Sequence, residues 1–180
     1  MGAIKVHEFT TVDGVVDVPM WTADYGFPDD LSATIGALTG SSKGILLGRR
    51  TFEMFAPAWS VRTVEEDPGA PFFNDTGKFV VGAHELSEEW ANTTRLGAYD
   101  AAALREFKDS RDGSVYISGS GRLVRGLIAD GLLDELHLFM YPIALGTGDR
   151  LFADQQTRLE LKDSGVYDNG VVHLCFAPRA

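Results

Sequence analysis

Apolar residues in this 180-residue chain fall into short β-rich runs separated by segments of helical spacing. Residues 3–10 (AIKVHEFT) predict a first strand, and the Asp-, Gly- and Pro-rich stretch 11–28 predicts a long loop. Pro28-Asp29-Asp30 then reads as a helix start, with acids against the positive end of the backbone dipole, leading into LSATIGALTG. GILLG at 44–48 is bounded by glycines and predicts a fully buried strand. Thr51–Phe55 follows as a short helix that Pro57 stops, and residues 57–76, with Pro57, Pro68 and Pro71, predict a surface loop. KFVVGA at 78–83 and TTRLG at 93–97 are the next two strands. DAAALREFKDSR has Asp100 as cap and basic residues towards its end, so it predicts a helix. SVYIS is a strand, Arg122 to Ala129 a helix, and LDELHLFMYPIAL a strand interrupted by Asp134, Glu135 and His137. The last two runs, RLELKDSGVYD and VVHLCFA, flank Asn169-Gly170, a strong hairpin signal.

Strands alternating with helices mean βαβ units. The fold class is therefore α/β: an open, largely parallel twisted sheet flanked by helices, with an antiparallel hairpin at the C-terminus. No repeat, low-complexity tract or linker divides the chain, which predicts one domain over residues 1–180.

Composition narrows the function classes. A net charge of −10 argues against a nucleic-acid partner, because phosphate contacts need a positive surface. No run approaches the roughly 20 apolar residues that span a bilayer, so no membrane association is expected. The N-terminus lacks a signal-peptide core, and the single Cys175 cannot form an internal disulfide; both fit a cytoplasmic protein. Cys175 lies in the run VVHLCF and reads as a buried structural thiol. The four histidines, His7, His84, His137 and His173, show no metal-ligand spacing, so no metal site is expected.

On so acidic a chain, paired arginines beside glycine-ended strands stand out. Gly119-Ser120-Gly121-Arg122 closes the SVYIS strand and opens a helix. It is either a tight structural turn or a cradle for phosphate, because a helix start offers free N–H groups and glycine lets a ligand approach the backbone. Gly48-Arg49-Arg50-Thr51 repeats the arrangement, and arginine's planar fork can donate two hydrogen bonds to one anion. Thr51 as a plain helix cap with solvated arginines is the competing explanation. Two anion-ready helix starts on one sheet edge suit a dinucleotide.

These segments, TVDG after strand one, GILLGRRTFE, VYISGSGRLVRGLIADGLLDEL and PIALGTGDRLF, resemble dihydrofolate reductase and, more closely, the RibD C-terminal reductase domain of riboflavin biosynthesis. Their order and spacing run from residue 11 to 152. The resemblance implies NADPH as hydride donor. It would place Gly48, Arg49, Arg50 and Thr51 on the adenosine side with its 2′-phosphate. Gly119, Ser120, Gly121 and Arg122, with Leu123 and Val124 behind them, would line the pyrophosphate and nicotinamide. Gly82 and Ala83 would form a third cofactor-lining strand end. On this reading the glycines serve a cofactor.

The same likeness puts a catalytic acid early in the second helical segment. Asp30 is the candidate, beside Trp21 as a substrate contact, with Asp29 and Asp24 as alternatives. Asp13 matches a substrate-side stretch of the riboflavin enzymes, or is a plain Asp-Gly turn. Glu8 is either a solvated strand residue or a substrate contact. The expected ligand is a small pterin- or pyrimidine-like heterocycle, and the late apolar strands together with related domains imply a homodimer. The deaminase segment of the riboflavin enzymes is missing, and the residues after VDG follow that family loosely, so neither enzyme's own substrate is assigned. Two rivals stand beside the reductase: a non-catalytic dinucleotide-binding module, and a reductase of unrelated small carbonyl compounds.

Overall fold

A computed structural model describes residues 2–152 and 156–179. Eight strands form one sheet: β1 (Ala3–Thr11), β2 (Ser42–Gly48), β3 (Lys78–Val81), β4 (Thr93–Gly97), β5 (Ser114–Ser118), β6 (Glu135–Tyr141), β7 (Leu159–Val166) and β8 (Val172–Pro178). Their order across the sheet is β4-β3-β2-β5-β1-β6-β8-β7. All neighbours from β4 to β6 are parallel, while β8 runs antiparallel to β6 and β7 to β8. The α/β class and the closing hairpin are as the residue pattern predicts. Gly170 takes a φ of 84° at the turn, a conformation that costs glycine least.

Among the described residues five α-helices cover the sheet: α1 (Asp29–Gly40), α2 (Arg49–Trp59), α3 (Ala70–Asp75), α4 (Ala101–Asp109) and α5 (Gly121–Ala129). Asp100 caps α4 as expected, its Oδ1 accepting the Ala103 N–H at 2.8 Å. On one sheet face, Leu31 and Leu38 of α1 and Phe52 of α2 pack with Ile45, Tyr116, Phe139 and Tyr141. On the other, Leu123, Val124 and Leu127 of α5 and Leu104 of α4 pack with Ile4, Val6, Val115 and Leu136. No helix among the described residues is long and apolar enough to cross a membrane.

Three local expectations are corrected. α2 runs through Pro57 to Trp59 instead of stopping. Proline there forfeits one backbone bond, but the turn it sits in carries Ala56, 1 % exposed, and Trp59, whose ring stacks on Phe73 with centroids 4.0 Å apart. The segment 57–76 is not all loop, because Ala70–Asp75 forms α3, with Pro71 in the first turn where no N–H is needed. The sixth strand ends at Tyr141, before Pro142. Beside α3, Lys78 is fully buried, and its Nζ donates to the carbonyls of Phe73, Asn74 and Thr76 at 2.8–3.1 Å. That lysine is a cap on the short helix, and burial lowers its pKa to about 8.

Candidate active site

Because β3, β2, β5 and β1 run parallel and side by side, their carboxyl ends share one edge. That edge carries Gly82, Gly48, Gly119-Ser120-Gly121 and the loop from Thr11 in turn. The corners touch. Ser120 Oγ accepts the Gly48 N–H at 2.9 Å and so braces β2 against β5. Ser120 therefore leaves its own helix uncapped: neither α5 nor α2 has a side-chain cap on its first turn. The free N–H groups of two helix starts are thus presented together. Gly119 and Ser120 both take left-handed backbone, with φ of 64° and 68°. Successive residues of this kind turn the chain sharply into α5.

Two of the glycines are needed for different reasons: a Cβ at Gly82 would lie 2.7 Å from Arg49 Cβ, whereas Gly119 is required by its left-handed φ, a Cβ there making only ordinary contact with Thr51 Cγ2 at 3.6 Å. Arg49 is engaged: its Nη1 donates to both oxygens of Glu53 at 2.8 Å. Arg50 and Arg122 are exposed, as is Ala83. Leu123 and Val124 face the core behind the turn. The groove is thus a backbone surface with guanidinium groups around it, which suits a pyrophosphate. A concavity of about 780 Å³ lies elsewhere, between α2, α3 and β4. Asp75, Glu88 and Glu89 line it against a single cation, Arg95, so its net charge is negative and disfavours phosphate.

The acids separate by face. Glu8 shares its side of β1 with Ile4 and Val6, under α5. Its main chain follows His7, whose carbonyl accepts the Gly119 N–H, so Glu8 lies next to the glycine turn. It is only 2 % exposed, and its Oε1 has no partner among the described residues. Burial raises its pKa to about 8, and the positive Arg125 opposes the rise. A solvated Glu8 is therefore ruled out. Its neighbour His7 points to the other face, bonded through Nδ1 to the Tyr116 hydroxyl at 2.6 Å, and burial depresses its pKa to about 3.

Asp30 is exposed on the first turn of α1, on the face opposite Glu8, and its Oδ1 accepts the Leu31 N–H at 2.8 Å. Asp13 is committed to the chain itself. Its carboxylate accepts from Thr11 Oγ1, from the N–H of Gly146 at 2.8 Å and of Leu145 at 3.2 Å, and from Arg150 at 3.4 Å. These bonds, the Thr11 hydroxyl first, hold its pKa near 2 and tie the first loop to residues 145–150. Trp21 is buried in a short 3-10 turn (Met20–Asp24), its indole N–H without a partner among the described residues.

Near Trp21 lies a group that residue spacing does not announce. Phe9, Tyr25, Phe27 and Tyr141 form a chain of edge-on rings with centroids 5.4–5.8 Å apart. Phe27 is 48 % exposed, and the buried Tyr141 hydroxyl has no partner among the described residues. Exposed ring surface beside unspent polar atoms is what a flat heterocycle requires. The four aromatics come from β1, the first loop and β6, so only the fold assembles them.

The family model of the RibD C-terminal domain matches residues 3–173. The chain belongs to the RibD C-terminal domain family. Among curated proteins it is similar to the uncharacterized protein YyaP of Bacillus subtilis (strain 168), 24 % identical over 176 residues, 91 % of this chain and 85 % of that one. Among solved structures it is similar to a protein of Shewanella sp. PV-4 named for riboflavin biosynthesis (TM-score 0.79, 18 % identity, 99 % of each chain). A dihydrofolate reductase of Enterococcus faecalis, solved with NADP(H), gives a TM-score of 0.65 at 16 % identity, over 99 % of this chain and 97 % of that one. The resemblance drawn from the glycine-marked strand ends thus has the right family, and the dihydrofolate reductase-like fold is shared.

Proposed function

We propose that this RibD C-terminal domain protein is an NADPH-dependent reductase of a pterin- or pyrimidine-like heterocycle. Family membership supports the coarser statement, an oxidoreductase of the riboflavin-pathway type. One arrangement carries the finer reading: three glycine corners in a line, with two uncapped helix starts between them. Gly48, Gly82 and the Gly119–Gly121 turn would hold a dinucleotide by backbone N–H groups. Arg50, exposed and, among the described residues, without the acidic partner that Arg49 has, is best suited to a 2′-phosphate; Arg49 and Thr51 shape the wall behind it. NADPH, when bound, supplies a hydride. Glu8, next to the glycine turn and raised to a pKa of about 8 by burial, would bear on the ligands from the cofactor side of the sheet as a hydrogen-bond donor. The aromatic chain from Phe9 to Tyr141 would receive the heterocycle on the other face, where Asp30 is the remaining candidate acid.

Consumption of NADPH over a panel of pterins, ribosylaminopyrimidines and small carbonyl compounds tests this reading. Turnover should require a heterocycle. Asp30→Asn should reduce it by about 10²–10⁴, the usual worth of a positioned acid, with NADPH affinity unchanged. Carbonyl compounds as the only substrates would replace the heterocycle, and bound but unconsumed NADPH would make the protein a non-catalytic binding module.

A further inference from the structure

Away from the glycine corners, the starts of β6 and the middle of β8 bring together Glu135, His137 and Cys175, with one ligand atom of each lying within 4.8 Å of the others. His137 and Cys175 are direct partners in the antiparallel β6–β8 ladder, so they share a sheet face, and Glu135 is two residues before His137 on that same face. His137 Nε2 lies 3.2 Å from Glu135 Oε2 and 3.7 Å from Cys175 Sγ. Around a tetrahedral zinc ion the N–O and N–S edges are about 3.3 and about 3.6 Å, from its usual bond lengths. The side chains therefore stand close to coordinating distance already.

His173 supplies the support such a site needs. Its Nε2 lies 3.0 Å from His137 Nδ1, with the two rings stacked at an interplanar angle of 7°. When His137 Nδ1–H donates to His173, Nε2 turns its lone pair to the space between carboxylate and sulfur. A carboxylate and a thiolate also match the charge of a divalent ion, with the thiol proton released to solvent on binding.

We propose that Glu135, His137 and Cys175 form a zinc-type metal site, independent of the cofactor groove, with His173 as the residue that orients His137. Lys5 is its built-in competitor. Its ammonium lies 3.2 Å from the same Glu135 oxygen, and a metal ion there must displace it or share the carboxylate with it. Sequence spacing is silent on this site because its residues are two and forty apart, on strands that only the fold pairs.

Cobalt(II) is the probe, since a thiolate-to-cobalt charge-transfer band reports the sulfur and this chain has one cysteine. Metal-free full-length protein should take up one cobalt(II) per chain with that band, and zinc should displace it. Cys175→Ser should lose the band while keeping the wild-type circular dichroism. Glu135→Gln, which removes a charged ligand, should weaken binding about tenfold or more, and Lys5→Met, which removes the competing ammonium, should strengthen it, outer contacts commonly changing affinity by about 10–100-fold. No cobalt(II) uptake, or uptake that is the same in Cys175→Ser and Glu135→Gln as in wild type, would overturn the proposal.

Discussion

Gly121→Val should abolish NADPH binding and leave the protein folded. Gly121 opens α5, and its backbone belongs to the surface on which a pyrophosphate would rest. A Cβ there would meet only side chains, Val16 Cγ2 at 3.3 Å and Arg125 Nη1 at 3.8 Å, both able to yield by a few tenths of an ångström. The fold therefore tolerates it, while the branched side chain stands between the helix start and the phosphate. Losing two charge-assisted bonds costs about 3 kcal/mol or more, an affinity loss of about 10²-fold or greater. Cofactor fluorescence beside circular dichroism and thermal melting reads both halves. Normal binding by the variant would reduce the glycine turn to a structural device.

Glu8→Gln should remove a large pH dependence of stability. The folded pKa of Glu8, about 8, is above the ordinary carboxylate value, so between about 4.5 and 8 the folded state holds a proton that the unfolded state has lost. Stability then falls as pH rises through that window, by up to about 1.4 kcal/mol per pH unit for this one group. His7 acts with the opposite sign: its folded pKa of about 3 means stability is lost as pH falls below the ordinary histidine range. The comparison of variant with wild type isolates Glu8, because His7 is common to both. Relative to wild type, Glu8→Gln should gain on the order of 4 kcal/mol between pH 5 and pH 8, or roughly 10 °C in melting temperature for a domain of this size. Parallel melting curves at every pH would show that Glu8 is not a buried acid with a retained proton.

The glycine corners could be read because a strand end, a glycine and a helix start are adjacent in sequence; Gly48-Arg49 and Gly119-Ser120-Gly121 are such strings. The cap of Asp100 and the Asn169-Gly170 turn are local in the same way. α3 was not legible, because a six-residue helix completes too few turns to show a period. Glu8 could be placed on a strand but not on a face until α5 had packed over Ile4 and Val6, so whether it was a solvated residue or a substrate contact stayed open. The Glu135–His137–Cys175 cluster depends on strand register, and the aromatic chain on register together with the packing of the first loop; both are properties of the folded sheet.

Calorimetric titration with NADPH and NADH reads whether the glycine-lined groove is a site for the phosphorylated dinucleotide. One NADPH should bind per chain, at least about tenfold more tightly than NADH, since a charge-assisted contact from Arg50 to the extra phosphate contributes roughly 1.5–3 kcal/mol. Arg50→Ala should close that gap. Equal affinity for the two dinucleotides in the wild type would take the 2′-phosphate role from Arg50, and no saturable binding of either would mean that the groove holds no dinucleotide.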